Sequence, residues 1–421
     1  MSILRNRSTR PPVRSASLRD NRDFLLLWSG QMVSMLGSRA CNLVFPLLAL
    51  ELTHSPVRAG LVGFATSLPI LLIQLPAGAL VDRWDRKHVM LVCDVGRLLI
   101  MASIPLGGLL FGLGFPQLLL IAFLNAVFSE VFNLAEYAAL PHIVDPESIP
   151  AAVARNQTAM QATTVASQPL GGWLYSVSQL APFAVNAVSY VVSLVTLLLI
   201  RARLYDPPAE PKRSLRLEIA EGLRFVWSQR LLRALVVLSA TMTLLTGGFT
   251  LVVIVLMSQL GASPSAIGMI FGCCGVAGLA GAVVTPRLIA WFPPGLLYLI
   301  GIAASAVLVG LMTVAPSLFW VGLLAAGIVA LGPISAVIGQ TLSARLTPRR
   351  LFGRVCSVEM VASAASVPLA SLLSGALLSL TGPTATCLLI SVGLLVIVAG
   401  AVANPAIRRP DLPEPRMGAE A

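Results

Sequence analysis

Charge is what this chain of 421 residues has least of. Asp, Glu, Lys and Arg together make up 11% of it, while 57% is hydrophobic and the mean hydropathy is +0.87. Soluble domains carry about 25% charged residues, so a water-exposed globular protein is excluded and a membrane protein is predicted. Histidine is scarce too: His54, His88 and His142 sit at separate span ends, with no catalytic partners evident nearby in sequence. With no serine elbow, no phosphate-binding glycine loop and no His/Asp cluster, the machinery of an enzyme is lacking. The six cysteines lie singly or adjacent in apolar stretches, without a Cys-x-x-Cys pair. That pattern argues against a disulfide framework or zinc site and leaves them as small packing residues. A cleavable leader pattern is not found either, and residues 1–22, rich in Arg and Ser, read as a disordered arm.

What the chain does have is long apolar runs. Twelve segments are each long enough to cross a bilayer at about 1.5 Å per residue: 24–50, 57–81, 89–113, 116–141, 152–177, 181–200, 232–259, 265–290, 295–314, 317–343, 355–380 and 384–404. Of the 29 Lys and Arg residues, all but Arg39, Arg58 and Arg97 fall on the side bearing the N-terminus. By the positive-inside rule both termini are then cytoplasmic, which also accounts for the +11 net charge without nucleic acid. The expected organisation is a cytoplasmic arm (1–22), a six-helix bundle (23–203), a linker with an amphipathic surface helix (204–230), a second six-helix bundle (231–405) and a cytoplasmic tail (406–421). Ser55-Pro56-x-x-x-Gly60 opens the second span and Ser263-Pro264-x-x-x-Gly268 the eighth, a weak internal repeat that fits two parallel halves.

Polar residues inside spans are costly, and here they form stripes. Span 1 carries Gln31, Ser34, Ser38 and Asn42 with Arg39 alongside; span 4 carries Asn125, Ser129, Asn133 and Glu136 with Glu130 beside them. Gln157, Gln161, Thr164 and Gln168 follow in span 5, Ser239, Thr243, Thr246 and Thr250 in span 7, and Glu359, Ser363 and Ser366 in span 11. Each set occupies one helix face, which lines a wet cavity or hydrogen-bonds a neighbouring helix. Depth along the helices places Arg39 and Glu130 at similar heights, so the two are predicted to face each other, with Arg39, Glu130, Glu136 and Glu359 as candidates for proton coupling. Met32, Met35 and Met242, with Phe45, Phe128, Phe132 and Phe249, offer adaptable apolar surface beside the stripes. The substrate cavity is expected to be walled by Gln31, Met35, Ser38, Asn42, Asn125, Ser129, Asn133, Gln157, Gln161, Gln168, Thr243 and Thr246.

The charged turn Gly78-Ala79-Leu80-Val81-Asp82-Arg83-Trp84-Asp85-Arg86-Lys87 sits between two spans and must lie at a water interface. It resembles the loop between the second and third helices of the major facilitator superfamily, whose pattern Gly-x-Leu-x-Asp-Arg-x-Gly-Arg-Lys it departs from only at Asp85. Gln168-Pro169-Leu170-Gly171-Gly172 is similar to the Gly-Pro-x-x-Gly-Gly element of proton-antiporting exporters in that superfamily. Leu140–Glu147 and Gly222–Trp227 look like its bacterial branch of macrolide and siderophore exporters. The resemblance implies an all-α integral membrane fold of two pseudo-symmetric six-helix bundles, with spans 1, 4, 7 and 10 around a central cavity. It further implies a monomeric secondary transporter of the bacterial inner membrane working by alternating access. Its partners would be a small amphipathic molecule, protons and lipid, with no cofactor. Siderophores or lysophospholipids are alternative cargoes, and a non-transporting sensor is the alternative of another class. Gly78, Asp82, Arg83, Asp85, Arg86, Lys87, Asp94, Arg97 and Arg354 are expected to form a cytoplasmic gate, with Asp94 receiving Arg83 or Arg86 and Asp82 facing the second half near Arg354.

Overall fold

In a computed structural model, residues 18–81, 84–110, 112–202, 204, 223–347 and 349–403 are described. The arm (1–17), most of the linker (205–222) and the tail (404–421) lie outside them. Of the expected amphipathic surface helix only residues 223–228 are described, and these are helical.

In a hydrocarbon environment every backbone N–H and C=O must find its partner within the chain, and helices achieve this locally. The first bundle is built from α1 (Arg22–Thr53), α2 (Pro56–Val81), α3 (Arg86–Leu110), α4 (Phe115–Ile143), α5 (Ile149–Val177) and α6 (Ala181–Leu199). The second contains α7 (Arg230–Thr246), α8 (Phe249–Gln259), α9 (Pro264–Trp291), α10 (Pro294–Leu311), α11 (Leu318–Leu346) and α12 (Arg349–Ala403). Among the described residues ten stretches are long and apolar enough to cross a membrane. Two features bring the crossings to twelve. At 55 residues α12 would extend about 80 Å, far more than a bilayer core of about 30 Å, and it folds back at Gly382 (φ 78°, ψ 171°). The 29-residue α5 is less apolar than these ten because Gln161, Thr163, Thr164 and Gln168 lie along it, beyond Arg155, Asn156 and Gln157 near its start.

The helix starts are written locally. Asn21 caps α1 by accepting from the Phe24 N–H at 3.0 Å, and its own amide donates to the Ile143 carbonyl at 2.7 Å, tying the start of α1 to the end of α4. Ser263 caps α9 through the Ala266 N–H, with Pro264 at the first helical position, where a missing N–H costs nothing. At the opposite face Tyr175 and Gln179 both donate to the Glu51 carboxylate, joining α1 to α5. α7 and α8 form a single crossing broken at Gly247 and Gly248. The break is close-packed: a Cβ on Gly248 would stand 2.0 Å from Ser374 Oγ.

Within the first half α1 packs on α5 and α6, and α3 and α2 pack on α4; in the second, α9 and α10 pack on α11, and α7 and α10 on α12. The halves meet chiefly through two helix pairs, α2 with α12 and α5 with α9. Both crossings are made at the repeated Ser-Pro-x-x-x-Gly element. Gly60 lies against Gly375, where an added Cβ would come 2.6 Å from the Ser371 carbonyl oxygen, and Gly268 lies against Gly172, where it would come 2.6 Å from that of Gln168. Only glycine lets two helices approach so closely. All four glycines sit near the face opposite Arg22. Further along α9 the contact with α5 persists to Gly275 against Val165, and Gly281 then meets Ala330 of α11 instead. Along the α5–α9 pair the halves therefore touch near the face opposite Arg22 and separate toward the face that carries it.

Candidate substrate cavity

The stripes of α1 and α4 converge on one cavity of about 510 Å³ in the first bundle. Gln31, Met35, Ser38, Arg39 and Asn42 line it from α1, and Asn125, Ser129, Glu130, Asn133 and Glu136 from α4. Thr66 and Ile70 of α2, Arg97 of α3 and Met160 of α5 complete the wall. The geometry follows from the spacing, since residues three and four apart stack on one face and these two faces look at each other. A second cavity of about 370 Å³ lies between the halves and shares Asn42, Thr66 and Ile70 with the first. Its walls include Gln168 of α5, the Gly247–Gly248 break, Thr250 of α8 and Ser371 of α12. A third, of about 540 Å³, belongs to the second bundle and is lined by Ser239, Tyr298, Ser335, Gln340, Glu359 and Ser363.

The charges are arranged differently from the sequence expectation. Arg39 and Glu130 share the cavity wall, but Arg39 donates to Thr164 Oγ1 of α5, and they form no ion pair with each other. Asp94 and Arg97, expected at the gate, are instead buried within the first bundle, 0% and 3% exposed. They pair with each other at 3.3 Å. Arg97 also donates to Ser38 Oγ at 3.0 Å and lies over the Tyr190 ring, 4.2 Å from its centroid. Tyr190 extends this network, its hydroxyl 3.0 Å from Ser38 Oγ, 3.3 Å from Asn125 Oδ1 and 3.2 Å from Asn186 Nδ2. A buried charge needs such company, because an unpaired one costs several kcal/mol. The expectation failed because depth along a helix fixes height but not direction, and this face of α3 looks at α1 and α6.

The charged turn also works differently. Asp85, where the superfamily pattern has Gly, caps α3: its carboxylate accepts from the Lys87 N–H at 2.9 Å and pairs with His88 Nδ1 at 2.9 Å. Partial burial pushes the Asp85 carboxyl up, but these hydrogen bonds and the His88 charge outweigh it and hold the group below its ordinary value of 3.8. Lys87 Nζ donates to the Ile200 carbonyl at 2.7 Å, capping the end of α6. Arg86 donates to the Leu204 carbonyl at 3.2 Å and lies 2.8 Å from His142 Nε2. Among the described residues neither Arg86 nor Lys87 reaches Asp94 or the second half; both fasten α3 to the ends of α4 and α6. Asp82 and Arg83 lie outside the described residues, as do the surroundings of Gly78 and Arg354.

Of the other expected cavity residues, Gln168 lines the central cavity. Gln157 and Gln161 are exposed and outside the three cavities. Helical spacing puts them on the α5 face of Val165 and Gly172, where the cleft between the halves opens. Thr243 and Thr246 are half-buried outside the cavity walls, Thr246 bonding back to the Met242 carbonyl at 2.8 Å. Phe45 and Phe132 are core residues at 1% exposure, although Phe45 also touches the central cavity. Tyr190 and Asn186 were missed. Their signal was available as the stripe Asn186, Ser189, Tyr190 and Ser193 in α6.

Two helical bundles that touch at two small-residue crossings, with a polar, charge-bearing cavity between and within them, define a membrane transporter of the alternating-access kind. The chain belongs to the Major Facilitator Superfamily, whose profile matches residues 27–337. It is therefore a multi-pass bacterial inner-membrane protein of a family that acts on small-molecule substrates. It is 26% identical over 401 residues to the multidrug efflux pump Tap of Mycolicibacterium fortuitum, covering 92% of this chain and 97% of the relative. To the enterobactin exporter EntS of Salmonella typhi it is 24% identical over 394 residues, covering 90% and 91%. Among solved structures, nucleoside transporter NupG matches with a TM-score of 0.71 at 12% identity, over 90% of this chain and 98% of that one. A bacterial homologue of the iron transporter ferroportin in an inward-facing state matches at 0.70 and 17% identity, over 91% and 100%. At these identities the solved structures share the fold alone.

Proposed function

We propose that this transporter exports an amphipathic small molecule in exchange for protons. The observation that carries this reading is the placement of Glu130 and Glu136 on the wall of a cavity that runs on into the cleft between the halves. A carboxyl open to the cavity can carry a proton across when the halves rock, and moving one charge through 100 mV supplies about 2.3 kcal/mol. Arg39, held on Thr164 across the cavity, tunes which of these carboxylates is charged. Glu359 in the second bundle is the remaining candidate for the proton path.

The distribution of Lys and Arg supports cytoplasmic termini, so that the cleft opens to the cytoplasm and cargo is loaded from there. The glycine crossings then form the outer closure, and the protein acts as a monomer with two moving bundles, 23–203 and 231–405, joined by the linker 204–230. The efflux function of Tap favours a drug-like cargo, and the similarity to EntS favours a siderophore as the second reading. Catalysis and non-transporting sensing are the less supported alternatives. A metabolite and antibiotic screen of a strain lacking the chain, complemented by wild type or by Glu130→Gln, tests the reading. Drug sensitivity rescued by wild type and not by Glu130→Gln is expected; equal rescue by both removes Glu130 from the mechanism.

A further inference from the structure

The cavity of the first bundle continues past Met35, Glu136 and Met160 into a narrow alcove between α1, α4 and α5. Trp28, Met32, Tyr137 and Leu140 give it apolar walls. Tyr137 is 66% exposed, a large fraction for a ring inside a bundle. Three thioethers in one small space make a surface that reshapes around an apolar ligand. Two of the lining residues carry a buried polar atom that finds no hydrogen-bond partner among the described residues, the Trp28 indole N–H and the Gln31 amide oxygen. Such orphans are uncommon in folded proteins and call for a partner. Among the described residues Glu136 is the only carboxylic acid of the lining, and no Lys or Arg belongs to it. Arg155 stands nearby with its guanidinium 4.2 Å from the centre of the Trp28 ring, and Arg97 is paired with Asp94.

We propose that the alcove binds the head group of an amphipathic amine that carries an oxygen near its nitrogen. The ammonium is held by the Glu136 carboxylate and donates to the Gln31 oxygen, the ligand oxygen accepts the Trp28 indole N–H, and the apolar body rests on the methionines and Tyr137. This inference rests on the exporter reading and narrows its cargo: a protonated amino-alcohol or amino-ether fits, whereas an anionic catecholate meets Glu136 and is repelled.

The test is equilibrium binding to purified full-length protein in detergent. The probes are propranolol, a protonated amino-alcohol on a naphthyl ether, and naphthoxyacetic acid, its anionic counterpart. Wild type is expected to bind propranolol and to discriminate against the acid. Removing a charged partner of a hydrogen bond weakens binding by about 10-fold or more, so Glu136→Gln should lose at least that much. Met160→Trp, which fills the alcove, should also lose affinity, and Trp28→Phe should lose it for propranolol but not for a naphthylalkyl amine lacking the oxygen. Trp173→Phe, at an exposed position outside the alcove, serves as the control for folding and should bind as wild type does. Absence of propranolol binding to folded wild-type protein overturns the proposal, as does unchanged affinity in Glu136→Gln and Met160→Trp, or equal binding of the acid. These outcomes are separate from the transport reading. A chain that moves cargo in vesicles while Glu136→Gln binds propranolol normally sinks the alcove alone, and a chain that binds through Glu136 but moves nothing sinks the export reading alone.

Discussion

Arg97 shows how a single side chain couples charge, packing and cavity in this protein. It is the hub through which Asp94 of α3, Ser38 of α1 and Tyr190 of α6 are held together. Arg97→Ala strands the Asp94 carboxylate in the bundle interior, and removing one member of a buried pair costs about 3–5 kcal/mol. A marked fall in the melting temperature of the purified protein is expected, with partial recovery in Asp94→Asn/Arg97→Gln; an unchanged melting temperature would deny the pair its structural role. Asp85 gives the opposite case, a carboxylate at a water interface. Its folded pKa is depressed, so the stability it supplies is complete above its ordinary value of 3.8 and is lost as pH falls through the lower folded value. Asp85→Asn keeps an N-cap side chain but does not titrate. Thermal scans from about pH 5 to pH 3 should show a shallower decline for this variant than for wild type, and identical slopes would speak against the cap.

At the scale of elements, periodicity was a good guide wherever function needs one face of one helix. Gln31, Ser38 and Asn42 on α1, and Asn125, Ser129 and Asn133 on α4, share a cavity wall because a spacing of three and four leaves them no other arrangement. Most of the crossings were legible from apolar length, whereas α5 is too polar to stand out by hydropathy and the last two run together apart from Gly382. What periodicity cannot give is azimuth: it placed Asp94 and Arg97 near the gate, and the facing of α3 took them into the bundle. It also passed over the break at Gly247–Gly248, which depends on the close approach of α12 and carries no signal in hydropathy. The repeated Ser-Pro-x-x-x-Gly element looked like a trace of duplication, and its glycines proved to be the points where the halves cross. Gly172→Val and Gly268→Val each drive a side chain into the backbone of the partner helix, since even a Cβ would approach within 2.4 Å and 2.6 Å. Both variants should disfavour the state described here. Cysteines placed across the α5–α9 crossing should then cross-link in the otherwise wild-type chain and far less in the valine variants; equal cross-linking would show that the crossing tolerates bulk.

For the whole molecule, two helical halves, two glycine crossings and an off-centre group of charges imply a division of labour. The first bundle holds Arg39, Glu130, Glu136 and the Arg97–Asp94 pair, whereas among the described residues Glu359 is the only acidic one lining the cavity of the second. Under the proposed exchange for protons, coupling would belong to the first bundle and rocking to both. The most direct test uses purified protein in proteoliposomes, comparing wild type with Glu130→Gln in two assays with the same labelled amphipathic amine. Uptake driven by an imposed proton gradient should be present in wild type and lost in the variant, while exchange of labelled for unlabelled substrate without a gradient should persist in both. Gradient-driven uptake that survives in Glu130→Gln would contradict the assignment of the coupling carboxyl.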